Sequence, residues 1–326
     1  MARLAELLAP DGVLFVAYPP WRMPFGGHQQ MAVSRFAAHC PWLHLLPGPL
    51  YPWALRLAVR SEEKAEPVKR ILPDAEYCRG DLTDAAYVDT LTKGVDVVLH
   101  IAGIGKSLLL AKAAAQNGVK RLVLVHTTGI YSKYKAAGEE YRRTDAEITA
   151  LCREQGIGLT ILRPTMIYGT LGDQNIVKFI KMVDKLSPMP VVDHANYLLQ
   201  RVNCRDLGRA YLQVLNHLDE TAGKNYTLSG RDEVLLIDLF RIIADELGVS
   251  RKYLSVPFPV AYAGAWGLYL LSLTKIDMRE KVQRLCESRA YPHEEAVRDF
   301  GYDPMPFEEG LRQEVREYLA AKNGNN

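Results

Sequence analysis

The chain has 326 residues, with 40 Lys and Arg against 38 Asp and Glu, for a net charge of +2. That length allows one large domain or two lobes around a sizeable core, and its dispersed basic residues form no stripe, so nucleic acid is not an expected partner. The five cysteines (Cys40, Cys78, Cys152, Cys204, Cys286) are odd in number and scattered. They predict neither a disulfide framework nor a metal site, and they fit a reducing, cytoplasmic compartment.

The opening MARLAELLAPDG lacks the basic region, apolar run and cleavage site of a signal peptide. The first fifty-odd residues differ from the rest. Lysine is absent until Lys64, three of the four tryptophans (Trp21, Trp42, Trp53) lie here, and eight of 18 prolines precede residue 53. Such a shift places a boundary near Leu55. Beyond it the text is regular. ALRLAV (54–59) reads as a strand and EEKAEPVKRIL as a helix in spite of Pro67. AEYCRGDLTD reads as a short strand and its exit, VDVVLHIAG (95–103) as a buried strand, and KSLLLAKAAAQNG as a helix stopped by Gly118. RLVLVHTTG (121–129), the long helix AGEEYRRTDAEITALCREQG and the strand IGLTILRPT follow. Short apolar strands alternating with helices predict a doubly wound parallel sheet of α/β class, covered on both faces. Ligands of such sheets sit at the carboxyl ends of the strands, where Arg60, Asp81, His100, Thr127, Thr128 and Arg163 cluster.

These pieces, in order AVRS, GDLTD, VVLHIAG, VHTTGIY, TILRPTMIYG, LLQRVNCRDLGRA, NYTLSG and FGYDPMPFEEGL, resemble the extended short-chain dehydrogenase/reductase family, NAD-dependent epimerase/dehydratase branch. The likeness runs over residues 57–320 or so. It implies an NAD(P)-binding Rossmann-like domain (56–190), a smaller C-terminal substrate lobe (191–326), and a nucleotide- or lipid-linked sugar as substrate, modified by hydride transfer. It puts Asp81 and Leu82 at the adenine, Ala102 and Gly103 along the cofactor with Thr127 and Arg163 nearby, and Pro164 by the nicotinamide. Thr128 orients the substrate oxygen. Arg60 ends the second strand, where an acidic residue suits NAD and an arginine suits a 2′-phosphate, so NADP is slightly favoured.

Two features depart from the family. Its first strand leads into a G-x-x-G-x-x-G loop that receives the pyrophosphate. Here GVLFVAY suits the first-strand slot, but Pro19, Pro20 and Trp21 follow it. The stretch LLAPDGVLFVAYPPWRMPFGGHQQ with PWLHLLP (residues 1–55 overall) looks instead like a fragment of a class I methyltransferase that uses S-adenosylmethionine, without that family's cofactor loop. The second departure concerns the Tyr–Lys pair. Tyr141 follows Thr128 by 13 residues and holds the family's tyrosine slot, yet the position one helical turn later is Asp145. A free tyrosine has a pKa of about 10 and a nearby cation lowers it; Asp145 is expected to raise it. Tyr131 and Lys135 spell Y-x-x-x-K just after the strand, which leaves a second, weaker candidate pair. A non-catalytic dinucleotide sensor, or an inactive fusion, therefore stays open beside an enzyme.

His100 and His126 read as acid/base candidates or as hydrogen-bonded core histidines. Asp193, His194 and Asn196 read as a surface turn, and Asp206 as a helix brace. No metal-ligand spacing is present among the histidines. The uncharged stretch 256–274 is just short of spanning length and reads as a buried or membrane-surface helix, with peripheral membrane contact and oligomerisation both open.

Overall fold

The computed structural model describes Leu14–Ala17 and residues 55–323, apart from 71, 74 and 174. In chain order the first lobe contains β1 (Leu14–Ala17), β2 (Leu55–Val59), α1 (Glu62–Lys69), β3 (Glu76–Arg79), α2 (Ala85–Thr92), β4 (Val97–His100), α3 (Ser107–Gln116), β5 (Arg121–Val125), α4 (Gly138–Glu154) and β6 (Gly158–Pro164). The chain then passes through β7 (Ile167–Tyr168), α5 (Ile176–Lys185), β8 (Met189–Val192), β9 (Leu198–Leu199) and β10 (Val202–Asn203). It continues with α6 (Cys204–Asn216), α7 (Leu218–Thr221), β11 (Lys224–Leu228), β12 (Val234–Leu235), α8 (Leu236–Glu246) and β13 (Tyr253–Val256). The last four helices are α9 (Phe258–Leu271), α10 (Arg279–Leu285), α11 (Glu294–Phe300) and α12 (Phe307–Asn323).

Seven strands form one parallel sheet in the order β11-β6-β5-β4-β1-β2-β3. Leu14 of β1 sits opposite both Leu55 and Val97, so Leu14–Ala17 of the GVLFVAY segment fill the first-strand slot. The order reverses on either side of β1, and the switch point lies between β1 and β4. The glycine-loop position, Pro19 to Trp21, and the methyltransferase-like stretch other than Leu14–Ala17 lie outside the described residues. Alternation along β5 explains the two-sided burial. Val123 and Val125 join one core with Leu57, Leu99, Leu162 and the apolar face of α6. Leu122 and Leu124 join the other with Val98, Ile161, α3 and α4. Each such side chain contributes about 1.5–3 kcal/mol through its removal from water.

Residues 85–92, to which the sequence reading assigned no element, form a helix. The Asp84 carboxylate caps it, accepting from the Ala86 N–H at 2.9 Å. The second lobe has its own core, in which Ile180 and Val183 of α5, Phe240 and Ile243 of α8 and Leu311 and Val315 of α12 pack around β8 and β9. Residues 204–228 return to the large sheet between the two halves of that lobe. The turn at 193–195 is left-handed at three successive residues, and the Asp193 carboxylate there receives Phe258 N–H at 2.9 Å and Tyr197 O–H at 2.7 Å. It is therefore a brace for the start of α9. Asp206 also braces: buried in α6, it accepts from Met305 N–H at 3.1 Å.

Candidate active site

Two groups of residues lie at the carboxyl ends of the strands. The first group lines a depression formed by Ala58, Val59, Arg60, Gly80, Asp81, Leu82 and Lys106. Gly80 is required here, since a Cβ would come 2.4 Å from the Tyr87 ring. The Asp81 carboxylate accepts from Thr83 N–H at 2.9 Å and Thr83 O–H at 2.8 Å. Arg60 Nη2 lies 3.1 Å from it and Lys106 Nζ 3.9 Å. The Thr83 bonds first, and these two cations after them, hold the Asp81 carboxyl below its usual range. Leu82 and Ala102 are buried, while Gly103 turns the chain at φ 93°, a conformation reserved for glycine, with open space where a Cβ would point. His100 Nε2 lies 3.1 Å from the Gly103 carbonyl and fixes that turn. A bare glycine edge beside two cations fits the adenosine-phosphate end of a dinucleotide. Lys106 was not singled out from the sequence; its only signal was a position three residues past Gly103.

The second group gathers where β5 and β6 end. Thr127 caps a short 3₁₀ turn, Thr128–Tyr131, by accepting from Gly129 N–H at 3.0 Å. The Thr128 hydroxyl is buried and donates to the carbonyl of Pro164 at 3.2 Å. Tyr141 enters from the first turn of α4, and its ring lies 3.7 Å from where a Gly129 Cβ would stand. The Thr127 hydroxyl lies 3.2 Å from that same point, so Thr127 and Tyr141 converge on Gly129, which follows Thr128 in the chain. Tyr131 is half exposed and packs on Tyr291, ring centroids 5.5 Å apart. Lys135 Nζ reaches Glu280 of the second lobe at 3.1 Å.

Asp145 does not act on Tyr141 as its spacing suggested. Its carboxylate is buried, receives His126 Nδ1–H at 2.6 Å and Arg163 Nη2–H at 2.5 Å, and so faces away from the tyrosine. His126 Nε2 lies 3.0 Å from Ser107 Oγ. Burial pushes the Asp145 carboxyl up, but His126 and Arg163 outweigh it and hold the group below its ordinary value. Burial is also the main force that lowers His126, so the imidazole is neutral and donates through Nδ1. The Tyr141 hydroxyl is raised, first by burial and then by Glu140 and Glu280, with Arg284 opposing. The cation that opposes this shift is Arg284 of α10, and burial outweighs it. Arg163 is correspondingly buried against Asp145, its guanidinium 6.0 Å from the Tyr131 ring centroid.

Across the site, α10 and the segment after it are tied to the turn. Ser132 O–H donates to Glu287 at 2.7 Å and Lys133 N–H does so at 2.8 Å. Behind them Arg201 is buried, with Nη1 and Nη2 lacking hydrogen-bond partners among the described residues; Nε of Arg284 and of Arg289 share that condition. Burial, then the field of Arg289, lowers Arg201 to about 9.

Residues 52–191 match the model of a family described as NAD(P)H-binding. The matched stretch begins just before β2, and both groups of site residues through Pro164 fall inside it. The 2-alkyl-3-oxoalkanoate reductase of Stenotrophomonas maltophilia is 25% identical over 279 residues, 72% of this chain and 84% of that protein. The UDP-glucose 4-epimerase of Vibrio cholerae is 20% identical over 231 residues, 66% of this chain and 68% of that one. The dTDP-glucose 4,6-dehydratase from Streptomyces venezuelae, solved with NAD bound, superposes with a TM-score of 0.67 at 19% identity, covering 95% and 98% of the two chains. The chain thus has the Rossmann-like α/β fold seen in epimerase/dehydratase structures.

Proposed function

We propose that the chain is an NAD(P)-dependent oxidoreductase of the epimerase, dehydratase or reductase kind, acting at a carbinol or carbonyl carbon of a nucleotide- or lipid-linked sugar. What supports this reading is the approach of the Tyr141 ring to Gly129, the residue after Thr128, where β5 and β6 end. The nicotinamide cofactor, when bound, supplies or accepts the hydride. Thr128 orients the substrate oxygen, and Tyr141 exchanges its proton. Burial and Glu140 keep the Tyr141 hydroxyl protonated, and Arg284 offsets only part of that shift. Pro164 and Thr127 shape the nicotinamide end, and Arg163 positions Tyr131 through its buried ion pair. Arg60 and Lys106 hold a 2′-phosphate, with Asp81, Leu82, Ala102 and Gly103 along the adenosine, so NADP is favoured over NAD. The unsatisfied guanidinium nitrogens of Arg201 and its neighbours support an anionic group on the substrate, because buried cations without partners are costly.

The test is a panel of nucleotide sugars and 3-oxo acids assayed by nicotinamide absorbance. Tyr141→Phe is expected to lower kcat by about 10²–10⁴-fold while nicotinamide fluorescence reports unchanged NADPH binding. A second reading, a dinucleotide sensor without turnover, is favoured by Asp145 in the lysine slot. It takes over if NADPH binds, no substrate turns over, and Tyr141→Phe changes nothing. Arg60→Glu should weaken NADPH by about tenfold or more and leave NADH little changed.

A further inference from the structure

The surface farthest from explanation is α9. Its 14 residues carry no charge, and Ala265 alone among them is buried. Val260 is 60% exposed, Leu270 63%, Leu271 87% and Leu273, just past its end, 78%. An apolar face this continuous marks a binding surface. The chain also turns left-handed at Leu273 and Thr274 to present this tip, an arrangement that a β-branched residue resists. At about 1.5 Å per residue the helix is too short to cross a bilayer, and no helix of the described residues is long and apolar enough to do so.

The arrangement around the tip identifies the occupant. Behind the aliphatic end lie Trp266 and Tyr269, with the Arg279 guanidinium 4.2 and 3.9 Å from their ring centroids. Lys275 and Lys281 stand exposed beside them. Over residues 275–284, Arg284 and Glu280 pair with each other on the side of the candidate site, which leaves Lys275, Arg279 and Lys281 against Asp277, an excess of two positive charges. Aliphatic side chains outermost, an aromatic collar behind them and cations at its edge match the order of a lipid monolayer: acyl boundary, headgroup level, anionic surface. A second protein copy would leave these cations facing their own images.

We propose that α9 and the start of α10 dock this protein on an anionic lipid bilayer, with Leu270, Leu271 and Leu273 entering the acyl boundary. The surface adjoins the candidate active site, since Glu280 of α10 holds Lys135 and Glu287 holds Ser132 and Lys133. Docking would therefore hold the mouth of the site at the membrane. The proposal is independent of the catalytic reading, and its test needs no substrate.

The full chain is floated with vesicles of phosphatidylcholine and phosphatidylglycerol, and separately with phosphatidylcholine alone. Flotation with the anionic vesicles is expected, reduced by about tenfold or more in Lys275→Glu/Lys281→Glu, which removes two surface cations. Leu271→Glu/Leu273→Glu should abolish it while far-UV circular dichroism and NADPH fluorescence stay unchanged. A chain that stays at the bottom of both gradients overturns the proposal. So does flotation of both double variants at the level of the unaltered chain. If light scattering instead finds a dimer that Leu271→Glu/Leu273→Glu dissociates, the face is a protein interface and the proposal fails.

Discussion

A single carboxylate, Asp145, ties three elements together: α4 that carries it, the end of β5 through His126, and β6 through Arg163. Removing one partner of a buried ion pair leaves the other charge uncompensated. Asp145→Asn should therefore cost about 3–5 kcal/mol in urea unfolding. Asp145→Lys, which restores the family's Y-x-x-x-K spelling, should be worse still, because it crowds a lysine against Arg163 and His126. We expect it to yield insoluble protein and not a faster enzyme. The pH dependence follows from the same network. His126 is depressed by burial, so below its ordinary value of about 6.5 the unfolded chain takes up a proton that the folded chain refuses, and stability falls with pH. Asp145, also depressed, adds a loss below about pH 4 as its carboxyl is forced to protonate. Asp206 works the other way. Burial raises it to about 6, so its contribution is full at acid pH and declines as pH climbs through that value. The urea midpoint should drop between pH 7 and pH 5, and His126→Gln should flatten that drop. The sequence spacing could set Thr128 and Tyr141 on one strand-turn-helix unit, since both belong to the same local stretch. It could not reveal the bond from Lys135 to Glu280, or that from Ser132 to Glu287, because those partners lie 145 and 155 residues away in the chain.

At the scale of elements, strand ends and helix starts account for the site. Asp84 caps α2 next to the Asp81 depression, and Asp84→Ala should cost about 1 kcal/mol by thermal unfolding. Apolar runs such as VVLH and RLVLV were readable as strands because residues buried on both faces have no polar alternation. Helix α2 was not, since AAYVDTLT is short and its cap is an aspartate in a stretch that also reads as a loop. Lys135 shows another limit of local reading: its spacing to Tyr131 is a matter of sequence, while its hydrogen bond to Glu280 crosses between lobes.

For the whole molecule, the composition changes near Leu55, which predicts a seam there. The sheet nevertheless continues across that seam. In its order β11-β6-β5-β4-β1-β2-β3, the pair β2-β3 touches the other four strands through β1 alone. Four residues, Leu14–Ala17, are the keystone between two half-sheets. A version trimmed to begin at residue 52 would thus keep nearly every residue of the matched domain yet bare two facing rows of backbone amides and carbonyls, an invitation to clumping. Its yield of soluble material, compared with that of the intact polypeptide, would measure how far an atypical leader has become indispensable to the body it precedes.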